Sequence, residues 1–106
     1  MIVNIVDVRI LDRLSGLWHA DTPLGKYLRE SGITTLFFGG VNSDQCVWTT
    51  LVDAFHMGYD VVYVPDCAAT ASGKFPEEMV RYNANLTGFV ANSSDVVEVL
   101  GKQRDA

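Results

Sequence analysis

One thiol in this sequence stands where reactivity is easiest to arrange. Cys46 follows the run Gly39-Gly40-Val41-Asn42-Ser43-Asp44-Gln45, in which an apolar stretch meets two glycines and then polar residues suited to opening a helix. In the first turn of a helix the backbone N–H groups lack intrahelical acceptors and carry partial positive charge, which favours thiolate. Glycine lets the chain bend sharply and approach a ligand closely. A nucleophile beside free amides is the minimum needed to attack a carbonyl carbon and hold the oxyanion that forms. A free cysteine also has a second reading, as a small apolar side chain in the core. Magnitudes set the scale. A free thiol has a pKa of about 8.5, and a helix start contributes about 0.3–1 kcal/mol, which is roughly one pKa unit or less. Mild reactivity is what this position supplies unaided.

Other residues able to do chemistry are few. Cys67 follows Asp66 after an apolar run and reads as a structural cysteine in a tight loop, with a Cys46–Cys67 redox pair as the alternative. His19 and His56 do not combine with the cysteines in any zinc-type spacing, so no metal and no cofactor are expected. His56 falls near a helix C-terminus, which lies away from the functional edge of an α/β sheet. Asp7, in Ile5-Val6-Asp7-Val8-Arg9, has the look of an acid at a strand end. The glycines at 39 and 40 lack the third glycine of a dinucleotide fingerprint and the lysine of a phosphate loop.

The elements that must position these groups follow from residue pattern. Ile2 to Ile10 is rich in β-branched residues and reads as a strand. Thr22-Pro23 opens a helix, with Thr22 as N-cap and Pro23 in the first helical position, and Gly32 stops it. Thr34 to Phe38 is expected to be a buried strand. A helix is expected from Asn42 or Ser43 to about Met57, with Val47, Leu51, Ala54 and Phe55 as its apolar stripe and Gly58 as its stop. Asp60 to Val64 reads as a strand ended by Pro65, Pro76 to about Asn85 as a helix, and Gly88 to Ala91 as a short strand. A last helix capped by Ser93 or Ser94 runs to about Leu100. Strands alternating with helices imply right-handed crossovers, and thus an α/β fold whose parallel sheet is covered on both faces. Ligands bind such sheets at the carboxyl ends of the strands, where the segments Gly39–Ser43 and Pro65–Ser72 emerge.

Length and composition bound the function. A chain of 106 residues makes one domain, residues 1–106. With 48% hydrophobic and 20% charged residues it folds rather than staying disordered. A net charge of −5, without a basic cluster, argues against a nucleic-acid or anionic-membrane surface. The apolar stretch from Met1 to Leu11 is broken by Asp7 and Arg9 and lacks a basic leader region, so no signal or anchor is expected. Two cysteines do not make a disulfide scaffold, and a reducing, cytoplasmic setting is the expectation.

The segments Ser-Gly-Leu-Trp from Ser15, Thr-Pro-Leu from Thr22, Gly-Gly-Val-Asn-Ser-Asp-Gln-Cys-Val from Gly39, Asp-Ala-Phe from Asp53, Gly-Tyr-Asp-Val from Gly58 and Asp-Cys-Ala-Ala-Thr-Ala-Ser from Asp66 together resemble the isochorismatase-like cysteine hydrolases. The resemblance extends to about Leu100 and covers the C-terminal part of that family's domain. It implies a three-layer, Rossmann-like α/β domain with a small, mostly parallel sheet, truncated relative to the family. It implies Cys46 as nucleophile, a cis peptide at Val41–Asn42, and the amides of Asn42 and Cys46 as the oxyanion hole. Trp18, in a loop beside the site, is a candidate for lining a substrate pocket. The substrate implied is a small molecule carrying an amide or related bond. The family also uses an aspartate at the end of its first strand and a lysine on a later strand. Where the lysine is expected this sequence has Leu11, Asp12 and Arg13, and the aspartate-bearing segment has no counterpart. Three readings follow: a hydrolase impaired on its own, a non-catalytic domain that assembles into a homo-oligomer through an exposed sheet edge, and a thiol redox module.

Overall fold

The computed structural model describes residues 15–17, 19 and 21–105, with side chains to residue 102. The expected strand over residues 2–10, Asp7, and residues 11–13 lie outside the described residues, as does Trp18.

Helix α1, Pro23–Glu30, starts as the sequence dictates: Thr22 Oγ1 accepts a hydrogen bond from Gly25 N–H at 3.1 Å, and proline occupies the first helical position. Strand β1 spans Thr35–Val41. A wide, π-type turn over Ser43–Val47 leads directly into α2, Trp48–His56. Strand β2 is Asp60–Ala69, helix α3 Lys74–Thr87, strand β3 Phe89–Val90 and helix α4 Ser93–Asp105. The described sheet is parallel throughout, in the order β1-β2-β3. Helices flank it on both faces, giving the α/β layering expected.

Strand β2 is the spine. Val61, Val62, Tyr63 and Val64 are all buried, as a strand sandwiched between two helical layers requires. By the two-residue period of a strand, Val61 and Tyr63 point one way, into a core shared with Leu28 of α1, Leu51 and Ala54 of α2, and Val80 and Ala84 of α3. Val62 and Val64 point the other way, and Val64 borders an apolar depression with Phe37 of β1 and Val96 and Val97 of α4.

Several boundaries differ from expectation, each for a tertiary reason. Strand β1 does not end before the glycines but runs through them to Val41. Nor is it buried on both sides: its exposure alternates residue by residue, with Phe37 50% and Val41 68% exposed. Pro65 does not end β2, which continues to Ala69. Pairing jumps from Phe38↔Tyr63 to Gly40↔Ala68, so four residues of β2 bulge opposite the single Gly39. A bulge is where a strand tolerates a residue with no N–H. Helices α3 and α4 are longer than expected, and Pro76 sits inside the first turn of α3, where its missing donor costs nothing. Phe55 leaves the α2 stripe, being 40% exposed and edge-on to His56.

Candidate active site

The bulge brings β1 and β2 so close that a methyl group on Gly39 would lie 2.8 Å from Cys67 O and 3.0 Å from Cys67 Cβ. Only a residue without a side chain fits. Gly40, at φ +128°, then turns the chain through a conformation that L side chains rarely adopt. The Val41–Asn42 peptide is cis, as the resemblance implies. Beyond it Asn42 O accepts hydrogen bonds from the N–H groups of Gln45 (3.2 Å) and Val47 (3.4 Å), which winds the turn carrying Cys46. Among the described loop and cap hydrogen bonds, none runs from the N–H of Asn42 or of Cys46.

The Cys46 thiol is half-buried. It points back to the strand end, donating to Val41 O at 3.2 Å and, more weakly, to Asn42 O at 3.8 Å. It borders an open depression of about 270 Å³ lined also by Phe38, Gly39, Gly40, Val41, Val47 and Thr50. Apart from the thiol, that lining carries no ionisable group among the described residues. Thr50 Oγ1 donates to Cys46 O at 2.7 Å and accepts from Gly16 N–H at 3.0 Å, so one hydroxyl ties the Ser15–Leu17 segment to the turn that carries Cys46. Cys46 also packs on the core cluster, so both readings of this cysteine describe part of its surroundings.

A second set of bonds, not foreseen from the sequence, fixes the turn from outside. Asn42 Oδ1 accepts from Ala71 N–H at 3.0 Å, and Asp44 Oδ1 accepts from Thr70 Oγ1 at 2.5 Å. Thr70 Oγ1 in turn accepts from Ser72 N–H at 3.0 Å, and Gln45 Nε2 reaches Ser72 Oγ at 3.4 Å. The Thr70 hydroxyl holds the Asp44 carboxyl below the usual carboxylate range. Beneath the turn, Ser43 Oγ and the Tyr63 hydroxyl are buried neighbours and neither completes a hydrogen bond among the described residues. Burial pushes the Tyr63 phenol above its ordinary value.

Cys67 is exposed and lines the depression on the α4 side, whereas Cys46 lines the other, and both thiols are free. His56 closes α2 where the chain turns toward the start of β2, at the end of the sheet opposite Cys46. Among the described residues no three His, Cys, Asp or Glu side chains gather as metal ligands, and no helix is long and apolar enough to cross a membrane.

The thiol thus sits on the turn that follows the carboxyl end of parallel strand β1, the edge at which α/β sheets bind ligands. Comparison with known proteins gives the class. Residues 10–95 match the family model of the Isochorismatase domain, and the chain belongs to that family. It is 39% identical over 85 residues to the ureidoacrylate amidohydrolase RutB of Methylobacterium radiotolerans, covering 79% of this chain and 31% of that protein. Among solved structures it resembles an isochorismatase-like hydrolase from Alkaliphilus metalliredigens, with a TM-score of 0.74 and 28% identity over 83% of this chain and 48% of that one. The nicotinamidase PncA of Bacillus subtilis gives a TM-score of 0.65 and 30% identity over 74% and 42% of the two chains. The chain thus spans about a third of the length of this curated relative and under half of either solved structure.

Proposed function

We propose that this chain carries the nucleophilic half of a hydrolase for small amide-type substrates, with Cys46 as nucleophile. The observation that carries this reading is the half-buried thiol at the mouth of the depression formed by Gly39, Gly40 and Val41, where β1 ends. The relatives' names, an amidohydrolase and a nicotinamidase, point to the same bond class. The thiolate attacks the carbonyl carbon, and the carbonyl oxygen takes the charge facing the N–H groups of Asn42 and Cys46. Collapse expels the amine, which carries off the proton given up by the Cys46 thiol, and water then cleaves the thioester, releasing the acid and returning a proton to the thiol. Val41 forms the rim of the pocket, and Trp18 is proposed to border the substrate.

Among the described residues the lining offers neither a carboxylate to take the thiol proton nor an amine to hold it. Those duties fall to groups beyond it, which the resemblance assigns to an aspartate and a lysine. Loss of a positioned base costs about 10²–10⁴ in rate, so turnover by this chain alone is expected to be slow. The test is to incubate the purified chain with a panel of small carboxamides, following ammonia release and the mass of the protein. An acyl adduct confined to Cys46, with turnover abolished in Cys46→Ala, is the expected result. Turnover that persists in Cys46→Ala, or a panel that never acylates the thiol, overturns the reading.

A second reading has its own observation. Strand β1 lies at an edge of the described sheet and exposes Phe37 and Val41, so a second copy of the chain pairing along that edge, as a homo-oligomer, fits it. Sedimentation of the full chain as a monomer at high concentration rejects that assembly.

A further inference from the structure

We infer that Asp44 is a positioning residue for Cys46, acting through Thr70 to clamp the segment after β2 against the turn that carries the thiol. This rests on the reading of Cys46 as the reactive thiol and names what holds it in place. Three residues of the turn, Asn42, Asp44 and Gln45, bond three consecutive residues of the other segment, Thr70, Ala71 and Ser72. The Asp44–Thr70 bond is the hinge of this set, because the same Thr70 oxygen also receives Ser72 N–H and so orients the strand exit itself. Asn42 supplies both ends of the connection: its side chain accepts from Ala71, while its carbonyl winds the turn and accepts from the Cys46 thiol. A displacement of the Thr70–Ser72 segment therefore reaches the sulfur through a single residue.

The clamp has a direct chemical effect on the thiol. Carbonyl oxygens fixed at 3.2 and 3.8 Å from Sγ hold the sulfur half-covered against the strand end. Releasing the clamp frees those acceptors and uncovers the sulfur, so it reacts faster with a small alkylating agent but loses its alignment with the Asn42 and Cys46 amides. Charge on Asp44 is not required for this role, only an acceptor at that position. Asparagine preserves the acceptor, and alanine removes it.

The experiment is competitive alkylation of the full chain with iodoacetamide at neutral pH, reading the Cys46 to Cys67 rate ratio by peptide mass spectrometry. Cys67 is exposed and outside the clamp, so it serves as the internal standard. Losing one such hydrogen bond is expected to raise the ratio about threefold to tenfold in Asp44→Ala and in Thr70→Val. Asp44→Asn and Thr70→Ser are expected to return it to the parent value, and the Asp44→Ala/Thr70→Val pair to exceed neither single variant. Thr70→Val keeps the shape of the side chain and breaks the same bond from the other side, which covers the case in which Asp44→Ala does not fold. A ratio unchanged in the folded Ala or Val variant, or raised as much by Asp44→Asn as by Asp44→Ala, overturns the inference. Because the readout is alkylation, a chain whose thiol no amide of the panel acylates yet which shows this pattern refutes the proposed function and leaves the clamp standing.

Discussion

Replacing Gly39 by alanine tests the geometry on which the site depends. The added methyl would sit 2.8 Å from Cys67 O, 3.0 Å from Cys67 Cβ and 3.4 Å from Cys67 C. The first two are closer than ordinary van der Waals contact, and the offending atoms include backbone of the neighbouring strand rather than a side-chain tip able to swing away. Relief requires β1 and the bulge of β2 to separate by several tenths of an ångström where Phe38↔Tyr63 gives way to Gly40↔Ala68. Overpacking of this kind costs about 1–3 kcal/mol. Taking about 2 kcal/mol, and about 4–8 °C per kcal/mol for a domain of this size, the melting temperature should fall by roughly 8–16 °C. Thermal unfolding followed by far-UV circular dichroism measures it, with Cys46 alkylation as a second channel, since the same displacement moves Val41. A variant melting within about 2 °C of the parent would mean that the strands are not in contact at Gly39, and the account of the bulge would fail.

Other outcomes follow from separate elements. Gly101→Ala, at a position within α4 with open space around it, should stabilise the chain by up to about 1 kcal/mol, and a lower urea midpoint would contradict this. Thr22→Ala removes the acceptor for Gly25 N–H and should cost about 1 kcal/mol by urea denaturation, whereas Thr22→Ser should cost much less. Hydrogen bonds from the side chain and backbone of Ser93 hold the Asp66 carboxyl below the usual range, as Thr70 does for Asp44. With folded values depressed, the unfolded chain binds these protons first. The stabilisation is therefore complete above about pH 3.9 and is lost as pH falls through the depressed folded values. Urea midpoints of an Asp44→Asn/Asp66→Asn variant should vary less with pH across that window, and a slope equal to the parent's counts against it. Cys46→Ser should leave Cys67 as the alkylated thiol at unchanged rate, and a slowed Cys67 would show that the two thiols are coupled.

Local signals were legible and long-range ones were not. Thr22-Pro23 names a helix start without reference to the rest of the chain, and the structure has it there. Val47, Leu51 and Ala54 are buried as their spacing implies, because one helix face meets one core. Pro65 misleads as a strand terminator because its tolerance depends on which residue lies opposite. That residue is Gly39, twenty-six positions away. Gly39 and Gly40 read as a strand end for the same reason: the closeness of Cys67, which the first of them permits, is invisible along the chain. At the site, the turn that carries Cys46 could be picked out because two glycines followed by polar residues mark the passage from strand to helix. Thr70 and Ser72 could not, since a hydroxyl in a polar segment is ordinary until the carboxylate it meets is known.

The ten residues of β2 have a division of labour with practical weight for redesign. Its first half is locked between two layers of helices, and its second half leaves that confinement to deliver Thr70, Ala71 and Ser72 to the outside of the turn that carries Cys46. The placement of the Cys46 turn and the packing of the core are therefore written on different stretches of one continuous segment. Substitutions just past Ala69 act on the placement of the Cys46 turn while Val61 to Val64 keep the scaffold intact, so the geometry of the turn can be altered without eroding the fold.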